Sequence, residues 1–196
     1  MPDNSELENH HIFVINVDGS YLKQLTFFEN DEAFEPSWCP DGSKIAFSWC
    51  IDCELFGRNV EIFVYDFNSD SLFQVTNHLA ADDFPIWSLY GDCLVFASSR
   101  NYHTADTLRF RTDLYSINID GTDLQQITNT GYATNPIWMG AKTIIYRDFR
   151  DTETFVKLNI ETLSGVLFKL CLMFYSGLGF RFMSNGNRSP NLIASC

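Results

Sequence analysis

Glu35-Pro-Ser-Trp-Cys-Pro-Asp-Gly-Ser-Lys-Ile-Ala-Phe47 is the stretch that decides the fold of this chain. It contains a Pro-Asp-Gly turn, in which glycine tolerates the positive φ of a tight hairpin, and a short apolar run follows at once. Upstream, Ile12-Phe-Val-Ile-Asn16 leads into Asp18-Gly19, a second hairpin signal. Short apolar runs bounded by such turns predict β-strands, and no segment shows a sustained helical period.

The same marks recur along the chain at a nearly constant spacing. An aliphatic residue followed by threonine, and proline followed two residues later by tryptophan, each occur three times at intervals of 49 to 52 residues. The threonines and tryptophans are Thr26, Thr76 and Thr128, and Trp38, Trp87 and Trp138. Four short strands per unit of about 40–50 residues are typical of propeller blades. Because a packing contact must repeat whereas a ligand contact need not, we expect the three tryptophans to pack between blades.

These residues resemble the WD-like (WD40-like) repeat of the TolB family, which also occurs in propellers beside prolyl-oligopeptidase-type peptidases. The resemblance covers residues 11–165 and is weakest in the third copy, where Met139-Gly-Ala141 replaces the Pro-Asp-Gly turn. It implies blades of four antiparallel strands, with strand A innermost and strand D outermost. The resulting prediction is an all-β, partial β-propeller of about three blades plus an N-terminal half-blade.

The resemblance also predicts where each strand lies. Residues 11–25 should supply only strands C and D of a half-blade. Strands A to D are expected at 34–39, 43–49, 60–66 and 72–76 in the first blade, at 83–88, 92–98, 113–118 and 124–128 in the second, and at 135–139, 142–148, 155–160 and 166–171 in the third. Residues 1–10 are interpreted as a polar tail, residues 11–171 as the blades, and residues 172–196 as a tail or atypical strands.

Three and a half blades cannot close the ring of about six that the resemblance implies. Open ends would expose unpaired strand edges and apolar blade faces. We therefore expect self-association, or additional blades from another segment. A four-bladed ring closed by residues 172–196 is a third option, which the lack of Pro-x-Trp and Leu-Thr marks in that segment disfavours.

The net charge of the chain disfavours two classes of binding partner. The net charge is −12, with 17 acidic against 4 basic residues in 1–100 and 8 against 9 in 101–196. An acidic surface repels phosphate backbones and anionic headgroups, so neither nucleic acid nor a membrane surface is an expected partner. The apolar segment Val166–Phe180 contains Lys169 and falls short of the roughly 20 residues that a spanning helix needs.

The N-terminus and the cysteines bear on location. Residues 1–10 lack the basic and apolar regions of a secretory signal, so we expect a cytoplasmic protein, or a periplasmic one if a leader precedes this sequence. Cys50-Ile-Asp-Cys53 is one C-x-x-C among six cysteines and by itself a weak metal signal. We expect free thiols, which favours a reducing compartment.

No catalytic motif is present. The sequence has no G-x-S-x-G elbow and no H-E-x-x-H, and we predict a non-enzyme without cofactor or metal. Function in a propeller is expected at the D–A and B–C connections, where a protein or peptide partner would bind. The candidate residues are the acidic Glu32, Glu35, Asp82 and Asp83 and, in the long loop after strand B of the second blade, Tyr102, His103, Arg109 and Arg111.

The second hypothesis is an accessory domain, or a fragment, of a propeller enzyme. Prolyl-oligopeptidase-type peptidases and propeller polysaccharide lyases are the two classes considered. Because the chain itself shows no nucleophile machinery, this hypothesis requires a catalytic centre elsewhere.

Overall fold

A computed structural model describes residues 10–27, 31–51, 59–102, 111–150, 154–161 and 164–169. Over these residues the chain forms 14 β-strands and no helix. The strands make one two-stranded and three four-stranded antiparallel sheets, in each of which neighbouring strands follow one another in the chain. The chain is an all-β partial propeller, as predicted.

Each four-stranded sheet is one blade. The half-blade comprises β1 (Phe13–Val14) and β2 (Lys23–Gln24). The first blade comprises β3 (Glu32–Trp38), β4 (Lys44–Ile51), β5 (Asn59–Asp66) and β6 (Ser71–Gln74). The second comprises β7 (Asp82–Trp87), β8 (Cys93–Ser98), β9 (Asp113–Asn118) and β10 (Gln125–Gln126). The third comprises β11 (Ala133–Trp138), β12 (Thr143–Asp148), β13 (Thr154–Asn159) and β14 (Ser164–Lys169).

All the predicted strands are present. Their ends are set by tight turns, which form from residues that are close together in the sequence. Gly19, Gly42 and Gly121 have φ of +83°, +73° and +83°, in the hairpins where the sequence predicted them. In all three turns the aspartate before the glycine accepts a backbone hydrogen bond from the residue two positions on, at 2.9 Å for Asp18 and Asp41 and 3.0 Å for Asp120. Such aspartates complete a turn without help from another strand.

Strand A of every blade carries a bulge that the sequence analysis did not predict. Glu35, Phe84 and Asn135 each precede a proline and have φ of +52°, +56° and +48°. The pairing of strand A with strand B shifts register at the same points. An extra residue bends a strand and re-aims its side chains. Because the bulge repeats in three blades, it belongs to the blade architecture.

The apolar core lies between neighbouring sheets. One cluster joins the half-blade to the first blade, a second joins the first and second blades, and a third joins the second and third. All six residues from Val60 to Tyr65 are buried because β5 is covered on both faces. Apart from Glu61, these buried residues are apolar or aromatic on both faces, instead of alternating between apolar and polar residues.

The repeated threonines close the outer strand against strand C. The Oγ1 atoms of Thr26, Thr76 and Thr128 accept hydrogen bonds from the backbone N–H of the residues fourteen positions earlier, at 2.9, 2.8 and 2.9 Å. Each threonine is buried. A hydroxyl that satisfies a buried backbone donor explains why threonine recurs with the period of the blade.

The tryptophans occupy equivalent positions, but their burial differs. Trp87 is 4% exposed, and its Nε1 donates a hydrogen bond to Ser37 O of the preceding blade at 3.0 Å. Trp138 packs, partly buried, in the cluster between the second and third blades. The expectation of packing between blades is wrong for Trp38, which is 49% exposed and stacks on Phe67 with ring centroids 5.3 Å apart. The described residues include no strand A in the half-blade to cover it.

The arc formed by the described strands is open. Strands of the first blade contact β7, and strands of the second blade contact β11, whereas no described strand of the third blade contacts β1 or β2. One edge of β1 has no pairing partner among the described strands. The arc therefore ends at the half-blade on one side and at the third blade on the other.

Candidate functional site

The D–A and B–C connections lie at one end of the blades, which we call the loop face. There, three connections bring five side chains together as an Arg–Tyr cluster, comprising Tyr102, Arg111, Tyr132, Phe149 and Arg150. The guanidinium of Arg111 lies 5.5 Å from the ring centroid of Tyr102 and 5.3 Å from that of Tyr132. The guanidinium of Arg150 lies 5.2 Å from the Tyr132 ring, against which the Phe149 ring packs edge-on at 5.4 Å. Guanidinium groups at such distances from aromatic rings are attracted to the π-electrons of the rings.

Hydrogen bonds fix this cluster to the blades. Arg111 Nη2 donates to the hydroxyl of Tyr132 at 3.1 Å, and Tyr102 N donates to Ser99 O at 2.8 Å. Gly131 lies against the Tyr102 ring, where a Cβ would stand 3.1 Å from the hydroxyl, and its φ is +72°. Glycine is needed here because the ring approaches the backbone closely.

A buried carboxylate anchors the cluster from beneath. Asp113, fully buried at the start of β9, accepts a hydrogen bond from the Tyr102 hydroxyl at 2.6 Å. Its other oxygen accepts hydrogen bonds from Thr128 Oγ1 at 2.8 Å, Thr130 N at 2.7 Å and Gly131 N at 3.1 Å. Burial and the bond to Asp113 raise the pKa of Tyr102 to about 12, so its phenol stays protonated at neutral pH.

Glu61 occupies the corresponding position in the first blade. It is buried and accepts hydrogen bonds from Thr76 Oγ1 and from His78 N, each at 2.6 Å. Burial is the main cause that raises the pKa of Glu61 from 4.5 to about 6, although both hydrogen bonds oppose the rise. The same repeat position, near the start of strand C, therefore holds a buried carboxyl group in both blades.

We expect Glu61→Gln to remove the contribution that the titration of Glu61 makes to the pH dependence of the free energy of unfolding. The pKa of Glu61 is higher in the folded chain than in the unfolded one, so the protonated acid stabilises the fold. This stabilisation is complete below pH 4.5 and is lost as the pH rises through about 6. The free energy of unfolding of the natural chain should thus fall, relative to Glu61→Gln, by up to about 2 kcal/mol between pH 4 and 7. Urea titrations at each pH measure this difference. Glu161→Gln, at an exposed site, is the control, and a difference that stays constant with pH would contradict the expectation.

Asp82 contributes to the interior of the loop face and not to its surface. The carboxylate is fully buried, and its Oδ2 accepts a hydrogen bond from Arg100 Nη2 at 2.8 Å. The Arg100 guanidinium also lies 4.8 Å from the Tyr115 ring centroid. Within the part of the chain that the structure describes, neither Asp82 Oδ1 nor the Tyr115 hydroxyl has a hydrogen-bond partner. As a buried ion pair, Asp82 cannot contact a partner directly.

The other acidic candidates lie at the start of strand A. Glu35 is exposed as a whole, but desolvation of its carboxyl group, together with the nearby charge of Asp83, raises its pKa. Asp83 accepts a hydrogen bond from the buried Ser48 Oγ at 2.7 Å. Glu32 Oε1 lies 3.7 Å from His10 Nδ1. Because a nearby negative charge raises the pKa of Glu35, a cationic ligand group would be favoured beside these two carboxylates.

A cleft of about 370 Å³ opens beside Arg100 and is lined also by Asn59, Asn77, His78 and Leu79. Ala80 N donates to His78 Nδ1 at 3.0 Å, which leaves the proton of a neutral imidazole on Nε2. The cleft thus offers amide, imidazole and guanidinium donors at the junction of the first and second blades.

Of the eight candidates, five are exposed or half-buried in the described structure, Asp82 is buried, and two lie outside the described residues; the five are Tyr102, Arg111, Glu32, Glu35 and Asp83. Tyr102 and Arg111 meet in the Arg–Tyr cluster, while Glu35 and Asp83 lie together. His103 and Arg109 lie outside the described residues. Sequence reasoning missed Phe149 and Arg150 as site residues, although Arg150 follows strand B exactly 50 positions after Arg100. That repeat position could have identified it.

The cysteines differ in part from expectation. Cys39 and Cys93 are free, but Cys50 is disulfide-bonded, so the expectation of free thiols is wrong for this residue. Among the described ranges, no group of three or more His, Cys, Asp or Glu side chains is placed to hold a metal ion. The same ranges contain no helix long and apolar enough to cross a membrane.

Comparison with known proteins identifies the fold. No protein-family model matches the sequence, and no curated protein matches it. Among solved structures, a putative TolB from Agrobacterium tumefaciens has a TM-score of 0.61 at 17% identity over 84% of this chain and 58% of its own. An oligogalacturonate lyase in complex with manganese has a TM-score of 0.61 at 10% identity over 82% of this chain and 48% of its own.

A puromycin-hydrolyzing peptidase from Mycobacterium tuberculosis has a TM-score of 0.60 at 11% identity, over 83% of this chain and 28% of its own. The chain thus has the fold of TolB-like β-propellers at low sequence identity. It spans less than two thirds of the length of each of these three proteins.

Proposed function

We propose that this chain is a non-catalytic propeller scaffold that binds a protein or peptide through its loop face, with the Arg–Tyr cluster as the main contact. The observation that supports the proposal is that three separate connections converge to place two guanidinium groups against two tyrosine rings. Tyrosine and arginine are enriched among the residues that carry most of the binding energy of interfaces.

The chemistry of the cluster suggests what it would bind. Arg150 is ion-paired with the buried Asp148, whereas Arg111 donates a hydrogen bond to the hydroxyl of Tyr132. Arg111 therefore brings positive charge that no carboxylate in that bond balances. A carboxylate or an aromatic side chain of the partner would complement such a group, by a charge-assisted hydrogen bond or by stacking.

The acidic pair on the same face adds a second requirement. Glu35 and Asp83 would attract a basic side chain, whereas the Arg–Tyr cluster would attract an acidic or aromatic one. Opposite potentials at two places on one surface fix the orientation of a partner and reject partners of uniform charge. A segment with both signs of charge fits the loop face best.

Peptide selection tests this site. A phage library of random peptides would be selected on the full chain and each recovered peptide measured by fluorescence anisotropy. Arg111→Ala should weaken binding by about 5- to 30-fold, since it removes a contact of about 1–2 kcal/mol. Tyr132→Ala should have a similar effect because it removes the ring beneath both guanidinium groups.

Tyr90→Ala is the matched control, an exposed tyrosine in the A–B hairpin of the second blade, at the opposite end of the sheet. We expect it to leave peptide affinity unchanged. Circular dichroism would establish that each variant keeps its sheet structure. Peptides that bind Arg111→Ala and Tyr132→Ala as tightly as the natural chain would contradict the assignment of the cluster.

An accessory domain of a propeller enzyme is the second candidate. It is supported by the similarity to the lyase and to the peptidase, of which the chain spans only 48% and 28%. Assays with an aminoacyl amide and with an oligogalacturonate would test it. Turnover by the purified chain, abolished in a variant of its own residues, would contradict the non-catalytic proposal.

A further inference from the structure

The cleft beside Arg100 lies between the first and second blades, in the place that the Arg–Tyr cluster occupies between the second and third. Residues at three equivalent repeat positions belong to both places: Asn59 and Arg111 at strand C, Leu79 and Gly131 in the D–A connection, and Arg100 and Arg150 after strand B. Two backbone donors establish the equivalence, because His78 N bonds to Glu61 as Thr130 N bonds to Asp113. The two junctions can therefore be compared position by position.

The two junctions differ because large side chains fill only the second of them. There the rings of Tyr132 and Phe149 pack edge-on, and the guanidinium of Arg150 lies over the Tyr132 ring. Ala80 and Ser99 hold the equivalent positions between the first and second blades. These small side chains leave a cleft of about 370 Å³, which falls in the range of about 300–1,000 Å³ that is typical of ligand sites.

A buried carboxyl group adjoins the cleft. Asn59 and His78 line the cleft, and Asn59, with its amide oriented to satisfy both acceptors, donates to His78 O at 2.9 Å and to Glu61 Oε1 at 3.2 Å. At the next junction the equivalent Asp113 also accepts a hydrogen bond from the phenol of Tyr102, at 2.6 Å. In the described part of the chain, no aromatic hydroxyl reaches Glu61. The first junction therefore has the acceptor but not the phenol.

Polar groups next to the cleft lack hydrogen-bond partners. Arg100 lines the cleft and donates to Asp82 Oδ2, while Asp82 Oδ1 and the Tyr115 hydroxyl have no partner among the described residues. Asp82 is fully buried at the repeat position where the other two blades have Ala33 and Ala133. Because buried polar groups are normally satisfied, and because a contact that builds the blade should repeat, this arrangement favours a polar ligand at the cleft.

The charges beside the cleft favour a ligand that donates a hydrogen bond. Asp82 and Glu61 bring carboxyl groups against the guanidinium of Arg100, and the charges of Asp82 and Arg100 both act on Glu61. A ligand carboxylate would face this excess of negative charge, whereas a neutral hydroxyl would not. A hydroxyl both donates and accepts, so it also suits the amide and imidazole donors that line the cleft.

We propose that the cleft binds the phenolic ring of a tyrosine side chain presented by a peptide, with the hydroxyl donating to Glu61 and the ring packed between Leu79 and Arg100. The arrangement would repeat that of the next junction, where Tyr102 donates to Asp113. An apolar side chain and a guanidinium both contact aromatic rings favourably. The cleft and the Arg–Tyr cluster lie at different junctions, so this inference goes beyond the proposed contact, and either can fail without the other.

Titration calorimetry of the full chain with N-acetyltyrosinamide tests the proposal. We expect a Kd of about 0.1–1 mM, which is typical of a ligand of this size. N-acetylphenylalaninamide, which lacks the hydroxyl, should bind at least about fivefold more weakly. Glu61→Gln should remove most of this preference, because the charged acceptor is lost. Leu79→Trp should abolish binding of both probes by filling the cleft, and it leaves the core untouched because Leu79 is 77% exposed.

Leu124→Trp is the matched control, at an exposed leucine in the hairpin between β9 and β10, at the opposite end of the second blade. It should bind N-acetyltyrosinamide as the natural chain does. Circular dichroism would show whether each variant keeps its sheets; if Leu79→Trp does not, the loss of preference in Glu61→Gln decides. Equal affinities of the natural chain for the two probes, unchanged binding in a folded Leu79→Trp, or no saturation up to about 10 mM would each overturn the proposal.

Discussion

Trp87→Ala should lower the free energy of unfolding by about 3–5 kcal/mol, the cost typical of truncating a large buried aromatic residue to alanine. Trp87 is 4% exposed and packs in the cluster that joins the first and second blades. Its removal would leave a cavity between two sheets and also an unsatisfied carbonyl at Ser37, which now accepts the indole hydrogen bond.

Trp38→Ala provides a matched comparison at the equivalent position of the first blade. Because Trp38 is 49% exposed, we expect a loss of less than about 1.5 kcal/mol, mainly from its contact with Phe67. Urea titrations at a concentration below any self-association would measure both variants. Equal losses would show that the two tryptophans are equally buried in solution, and would contradict the open arc described above.

Asp113→Ala should lower the free energy of unfolding by about 3–5 kcal/mol, a loss as large as that expected for Trp87→Ala. The carboxylate is fully buried and satisfies four donors, one of them from Tyr102 of the Arg–Tyr cluster. Alanine would leave these donors without an acceptor, at about 1–3 kcal/mol for each one that water cannot reach. Tyr102 would also lose the bond that holds its ring, so peptide binding at the cluster should weaken.

Asp120→Ala is the control for Asp113, since it removes an aspartate of the same blade that accepts two hydrogen bonds in an exposed turn. We expect a much smaller loss, because water replaces the missing acceptor. Thermal or urea unfolding of both variants, followed by circular dichroism, measures the difference. A loss at Asp113 no greater than at Asp120 would mean that water reaches the Asp113 site.

Blade boundaries were predictable because local chemistry sets them. Asp18-Gly19, Asp41-Gly42 and Asp120-Gly121 form their turns with bonds between residues two to four positions apart, so the turns need no distant partner. The strand A bulge was not predictable in the same way. It requires a left-handed residue before a proline, a combination that the turn rules do not favour, and it persists because the surrounding sheet holds it.

Whether the candidate residues form a binding site stays a prediction, but the structure shows where the described ones lie. Tyr102 and Arg111 were chosen as interface residues in a long loop, and the structure brings them into contact. Asp82 was chosen as an acidic loop residue, yet it forms an ion pair inside the blade with Arg100. The two residues are eighteen positions apart, and the sequence gives no sign of that pairing, which depends on how strands A and B of one blade align.

The period of threonine, tryptophan and turn residues, read without coordinates, determined that this chain builds successive four-stranded blades. Only the tertiary structure decided that Trp87 is buried and Trp38 exposed, and that Arg111 and Arg150 share the ring of Tyr132. The physical reason is that turns and strands form from neighbouring residues, whereas burial and side-chain convergence depend on which sheet lies against which.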